Sequence, residues 1–211
     1  MNTTATPRGQ LCIWTDVERA HERDFNRWYD REHMQERVAL AGFQSARRFR
    51  ALGRSPRPYL ALYYTDSLAV FRSPAYRAAF ANQTEWSLRN FARMRATQRR
   101  VGELAIESGA GEGAALALLV VPPGQWSLPQ LRQSLAVVSD QDGIVRASVL
   151  CTDVGLSSPL TADAPPVPAD ALVMVEASDI EPAMAQTGSV ARELGLTDQV
   201  HGFQALLRLG A

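Results

Sequence analysis

The order of hydrophobic patterns predicts an α+β protein built from two β-α-β-β-α-β units in tandem within 211 residues. Three observations carry this. Strand-like and helix-like periodicities alternate in the same order twice, and a Gly-rich joint, ESGAGEG, separates the two rounds. The charge balance also changes sign across that joint. Residues 1–107 hold 18 arginines against 11 acidic residues and residues 108–211 hold 4 against 11, while the whole chain is neutral.

The first round opens with a strand at 11–17 (LCIWTDV) and continues with a helix over about 21–40, which Gly42 is placed to end. Segments 42–52 and 57–66 read as two strands joined by the turn GRSPRP. Ser67 caps a short helix at SLAVF, and Ser73-Pro74 starts another, with proline at its first position. Residues 93–106 then form a long strand with basic residues on one face. In the second round ALALLVV, IVRASVLCT, ALVMVEA and VHGFQALLRL read as strands, SLPQLRQSLAVV and EPAMAQTGSVARELG as helices, and SSPLTADAPPVPAD as a Pro-rich loop. Each round is a ferredoxin-like unit, with the division at 1–109 and 110–211. Two such sheets can face each other and close an intrachain pseudo-dimeric α+β barrel. A homodimer remains a further level of assembly open to the chain.

With 46% hydrophobic and 21% charged residues, the composition is that of a soluble globular protein. No apolar run approaches the ~20 residues needed to span a bilayer. The polar start MNTTATPRGQ lacks a signal-peptide apolar region, so a cytoplasmic protein with no membrane association is expected. Cys12 and Cys151 lie in apolar strand contexts and read as buried free thiols. The sequence contains no lysine. That excludes Schiff-base chemistry, a lysine-linked pyridoxal phosphate site and a P-loop. Arginines interleave with acids in ERAHERD and REHMQER, the pattern of a solvated mixed face. Halves of opposite sign docking on each other account for the asymmetry better than nucleic-acid binding does.

One helix carries chemistry. In FNRWYDREHMQERVALAGF (25–43), a wheel of about 100° per residue puts Tyr29 about 40°, Glu36 about 20°, Glu32 about −20° and His33 about 80° from Phe25. Arg27, Arg31 and Met34 fall on the far side. His33 and two glutamates thus share a face with the core aromatics, where buried carboxylates need partners. Beside an imidazole they would fix its tautomer and raise its pKa, as a general acid/base requires. A histidine at a helix–sheet border also serves simply to bond a carbonyl, and Glu32 or Glu36 can instead pair with Arg47, Arg48 or Arg50.

Trp28, Tyr29, Glu32 and His33 form a W-Y-x-x-E-H helix followed by a Gly-Phe strand start. This resembles the EthD-like branch of the dimeric α+β barrel superfamily over roughly residues 10–107, and FRSPAYRAAFAN with Trp86 is similar to that family's second helix region. The superfamily includes cofactor-free monooxygenases, polyketide cyclases, muconolactone isomerase-like enzymes, haem-degrading enzymes and aldoxime dehydratases. The resemblance implies a cleft between helices and sheet, with His33 facing it.

The catalytic set expected is therefore His33 as acid/base, Glu32 or Glu36 orienting it, and Tyr29. Trp28, Asn26, Trp14, Asp16, Tyr63 and Trp86 are candidates for the substrate-binding walls. Tyr59 and Tyr64 could add aromatic surface, while His21 and His201 show no partner pattern. No metal is expected, because HxH, HxxxH and CxxC spacings are absent. The function expected is cofactor-free proton transfer (isomerisation, cyclisation or elimination) on an aromatic or unsaturated hydrophobic substrate in one site per chain. The alternatives are oxygenation, either cofactor-free or with haem on His33, and non-catalytic ligand binding.

Overall fold

The computed structural model describes residues 6–157 and 167–210. Most of the Pro-rich loop, 158–166, lies outside the described residues. Eight strands form one closed antiparallel barrel: β1 (Gly9–Val17), β2 (Phe43–Ala51), β3 (Tyr59–Thr65), β4 (Met94–Ser108), β5 (Ala115–Val121), β6 (Ile144–Thr152), β7 (Ala171–Ala177) and β8 (Val200–Gly210). Around the barrel the order is β1-β3-β2-β8-β5-β7-β6-β4. Strands β4, β1, β3 and β2 stand together, as do β8, β5, β7 and β6. The seams between these groups are the β2–β8 and β4–β6 ladders. Closure leaves no edge strand with unpaired backbone groups.

Each strand therefore has an inner and an outer face. Along β3, Leu60, Leu62 and Tyr64 point inward while Tyr59, Ala61 and Tyr63 point outward beneath the helices. Both faces are covered, so β3 and β7 are buried at every position and read as apolar runs without clean alternation. The interior is filled by apolar side chains such as Cys12, Phe49, Leu118, Met174 and Phe203. Burial in this apolar setting pushes the Cys12 thiol up to about 12, which makes it inert at neutral pH. Cys151 is a free, half-buried thiol.

The helices lie outside. α1 (Glu22–Trp28), a π turn (Tyr29–His33) and α2 (Met34–Val38) form one continuous helical rod over the first group of strands. A 3-10 turn (Leu68–Arg72), α3 (Pro74–Ala81) and α4 (Glu85–Phe91) follow β3. Gly42 adopts φ 88° where α2 gives way to β2, with Val70 packed where a β-carbon would project. Ser73 caps α3 by accepting a hydrogen bond from the Tyr76 amide at 3.1 Å. Thr84 caps α4 in the same way through the Ser87 amide at 3.0 Å. The sequence reading did not anticipate α4, whose seven residues are too short to show a periodic pattern. Over the second group, α5 (Leu128–Ser139) and α6 (Ile180–Glu193) bury Leu131, Leu135, Val138, Val190 and Ala191 against the sheet.

Charges also cross the barrel. Arg47 on β2 pairs with Glu176 on β7, and the Arg47 guanidinium also donates to the Gly113 carbonyl at 2.6 Å. Arg100 on β4 meets Asp170 at 2.8 Å. The Arg47 and Glu176 side chains are 3% and 1% exposed, so each ion depends on the other for solvation. Glu176→Ala leaves the buried Arg47 cation only the longer ion pair to the more exposed Glu112 at 3.9 Å and should cost about 3 kcal/mol, read as a lower urea midpoint. A Glu176→Ala protein as stable as the parent would show that the pair does not hold the halves together.

Candidate functional site

The rod over the outer face of β1–β3 does not keep one helical pitch. At Tyr29–His33 it widens to a π turn, with the Met34 amide donating to the Tyr29 carbonyl five residues back. One extra residue in a turn rotates everything after it by about 100° relative to an unbroken α-helix. Met34 and Arg37, on the outer or flanking side of an ideal wheel, are thereby buried at 0% and 5% exposure, and Val38 with them. Glu36 is turned away to a half-buried position. Tyr29, His33 and Arg37 become successive steps of one inward column.

That column lines a cavity of about 280 Å³ between the rod, α3, α4 and the sheet. Tyr63 and Leu11 come from its sheet side, and Phe80, Leu88 and Phe91 from the helices opposite. His33 is the histidine in it. Its imidazole stacks on Trp28 at 4.3 Å and 27° and meets the edges of Tyr29 and Phe91 at 5.3 and 5.5 Å. Trp28 is fully buried behind it, fixed by its indole N–H donating to Ser87 Oγ at 3.0 Å.

The electrostatics differ from the sequence expectation. Burial, then the Arg37 and Arg48 guanidiniums, hold the His33 pKa well below its ordinary value, so the ring is neutral at physiological pH. Neither glutamate reaches it. Glu32 instead accepts a hydrogen bond from Thr84 Oγ1 at 2.6 Å. Burial and the nearby Glu32 raise the pKa of Glu36. The alternative partners are also taken elsewhere, since Arg48 pairs with Asp30, Arg50 with Glu22 and Arg47 with Glu176. Among the described residues His33 Nδ1 is buried with no hydrogen-bond partner, and the Tyr63 hydroxyl, also buried, lies beside that of Tyr29. Burial raises the Tyr63 pKa well above its ordinary value and takes Tyr29 to about 12, so both phenols are neutral.

Other candidates lie away from the cavity. Trp14 points into the barrel, where its indole donates to the Arg57 carbonyl at 2.6 Å and its ring lies 4.7 Å from His201. Asp16, on the same side of β1, is half-buried at the strand end. Asn26 joins a surface cluster with Arg48, Tyr59 and Glu22, bonding Arg48 Nη2 at 2.6 Å and the Tyr59 hydroxyl at 3.2 Å. Trp86 packs on α4 with its N–H on Asp24 at 3.1 Å rather than over the cavity mouth. Tyr64 faces the barrel interior. The residues that sequence reasoning missed are Arg37, Arg99, Gln83 and the mouth residues Phe80 and Leu88. The i, i+4, i+8 spacing of Tyr29, His33 and Arg37 was the signal available for the first.

No group of three or more His, Cys, Asp and Glu suited to a metal occurs among the described residues. No helix of the described residues is long and apolar enough to cross a membrane.

No family model matches the chain, and no curated protein matches it significantly. Its fold does match solved structures. An anthrone oxidase-like protein superposes with TM-score 0.67 at 10% identity, over 100% of this chain and 96% of that one. A candidate monooxygenase of Lactobacillus acidophilus gives 0.60 at 8% identity, over 97% and 96%. A heme-binding protein of Thermus thermophilus gives 0.50 at 9% identity, over 95% and 92%. The chain shares its overall fold with these solved structures. The His33 ring is stacked on Trp28 and hemmed by the edges of Tyr29 and Phe91, and a cavity of about 280 Å³ falls just below the roughly 300–1,000 Å³ of drug-sized ligand sites. A porphyrin does not fit these residues.

A histidine kept neutral by folding takes up a proton more readily when unfolded. Its stability contribution is present above the unfolded value of about 6.5 and is lost as pH falls below it. The urea midpoint should drop between pH 7 and 5. His33→Phe should flatten that slope by up to about 1.4 kcal/mol per pH unit. An unchanged slope would mean that His33 titrates normally.

Proposed function

We propose that the chain is a cofactor-independent oxygenase of the EthD-like branch, acting on a two- or three-ring phenol or enolisable ketone in the His33 cavity. One observation carries the reading: an aromatic-lined cavity whose walls include a neutral imidazole and a neutral phenol, with His33 Nδ1 buried and unpartnered among the described residues. Buried polar atoms without partners are rare and costly, and a ligand that supplies the partners removes the cost. The Trp28-Tyr29-Glu32-His33 motif supports the branch assignment. The repeated element order supports reading the barrel as two tandem ferredoxin-like units in a pseudo-dimer, with one site, on the first unit. The partner is then a small aromatic molecule rather than a nucleic acid.

In this reading His33 accepts the proton from a C–H or O–H acidified by an adjacent ring or carbonyl, and the Tyr63 hydroxyl donates a hydrogen bond to the oxygen where charge builds up. Low basicity suits His33 to an acidic, delocalised substrate, because the free base persists at neutral and mildly acidic pH. The electron-rich anion is then oxidised by dioxygen. A CH2 group and O2 become a carbonyl and water, with both protons from the substrate carbon ending in the water. His33 returns one of them as the hydroperoxide O–O bond breaks. The aromatic walls keep bulk water from the anion.

The same imidazole and phenol could also serve proton transfer without oxidation, as in an isomerase or lyase. Oxygen uptake with anthrone or 1-naphthol separates the two. We expect one O2 consumed per carbonyl formed, with His33→Ala lowering kcat by roughly 10²–10⁴-fold while the fold is retained by circular dichroism. Full turnover in His33→Ala would sink the proposal. Solvent-deuterium exchange into the substrate without O2 uptake would move the chain to the isomerase class.

A further inference from the structure

Among the described residues five arginines are buried: Arg37, Arg47, Arg48, Arg100 and Arg146. Four are neutralised. Arg47 has Glu176, Arg48 has Asp30, Arg100 has Asp170 and Arg146 has Glu107. Arg37 is the exception. It is 5% exposed, lines the cavity, and bonds only the neutral Gln83 Oε1 at 2.8 Å, with no carboxylate of the described residues in ion-pair range. A buried cation without a counterion is several kcal/mol out of balance, and a guanidinium keeps its charge in such a site.

A second cation faces the same space. Arg99 on β4 is half-buried and lines the cavity. It donates to the Leu156 carbonyl and, at 3.2 Å, to the Tyr76 hydroxyl, again with no acid among the described residues. Tyr76 belongs to α3 and Gln83 follows it, so the segment between β3 and α4 steadies both guanidiniums without neutralising either. The rest of the lining is largely aromatic and aliphatic, with Tyr63 and Phe91 among it.

We infer that the ligand of this cavity is an aromatic carboxylic acid, its ring system against His33 and Tyr63 and its carboxylate on Arg37, with Arg99 adding charge across the mouth. The inference rests on the proposed site and deepens it by naming the substrate class. A permanent anion is indicated because the imbalance exists in the resting protein, before any proton has moved. The planar guanidinium fork, with one amino group committed to Gln83, still offers paired donors suited to a carboxylate. The two guanidiniums also set a positive potential that neutral ligands leave uncompensated. Arg37 is here a binding residue for the acid group, not the base.

The test is binding without turnover. Fluorescence titration of the purified protein with 2-naphthoate and with its neutral isostere 2-naphthamide should show the carboxylate binding about tenfold or more tightly. Arg37→Gln should erase the preference while leaving 2-naphthamide affinity within about twofold, and Arg99→Gln should reduce it severalfold. Equal affinity of the two probes for the parent protein overturns the inference, as does a full preference in Arg37→Gln. If Arg37→Gln does not fold, the parent comparison and Arg99→Gln decide alone. The outcome is separable from the oxygenase reading. A carboxylate preference with no oxygen uptake leaves this inference standing and removes the other. Uptake with neutral anthrone and no carboxylate preference does the reverse.

Discussion

Closure of the sheet is the constraint on which the rest depends. The β2–β8 and β4–β6 ladders satisfy the backbone groups that two open four-stranded sheets would expose, and they seal the inner faces into a common core. The interior is filled by apolar side chains such as Cys12, Phe49, Leu62 and Phe203. The candidate cavity lies on the outer face, between sheet and helices. The same closure buries Arg47 and Arg100, which are tolerable only because Glu176 and Asp170 arrive from the other half. The opposite charge of the two halves is thus partly neutralised inside the molecule.

The helix layer is asymmetric for a packing reason. α5 and α6 are continuous helices whose small and branched side chains, such as Val190 and Ala191, seat closely on the sheet. The first half carries large rings in a rod interrupted by a π turn and followed by two short helices. Large rings on a helix of changing pitch do not fill space evenly, and the cavity beside His33 is the remainder. The π turn also settles which groups enter it. Without the extra residue, Glu36 would face the sheet and Arg37 would lie further round; with it, the inner column is aromatic, imidazole and guanidinium.

This altered the chemistry expected of His33. A carboxylate neighbour would have raised its pKa, whereas an aromatic cage and two guanidiniums lower it. His33 is consequently a neutral imidazole beside guanidiniums, not a charged imidazolium beside carboxylates. The fold is shared with an anthrone oxidase-like protein and a candidate monooxygenase, at identities of 10% and 8% that speak to fold alone.

Much of the fold was legible because strands and long helices announce themselves locally. β6 and β7 are found at IVRASVLCT and ALVMVEA, and α3 starts at Ser73-Pro74, since period, cap and proline act within a few residues. The sequence likewise singled out His33, Tyr29 and Tyr63, now found around one cavity. It could not place Trp14, whose alternation with Ile13 fits either face of a strand until the barrel decides which is inside. Nor could it orient Glu32, Glu36 and Arg37, because a wheel assumes one pitch and the π turn breaks it. Sequence alone determined the elements, the absence of lysine and the aromatic helix bearing a histidine. Only the tertiary structure decided which side chains that histidine meets, because burial, pairing and pitch depend on contacts between residues far apart in the chain.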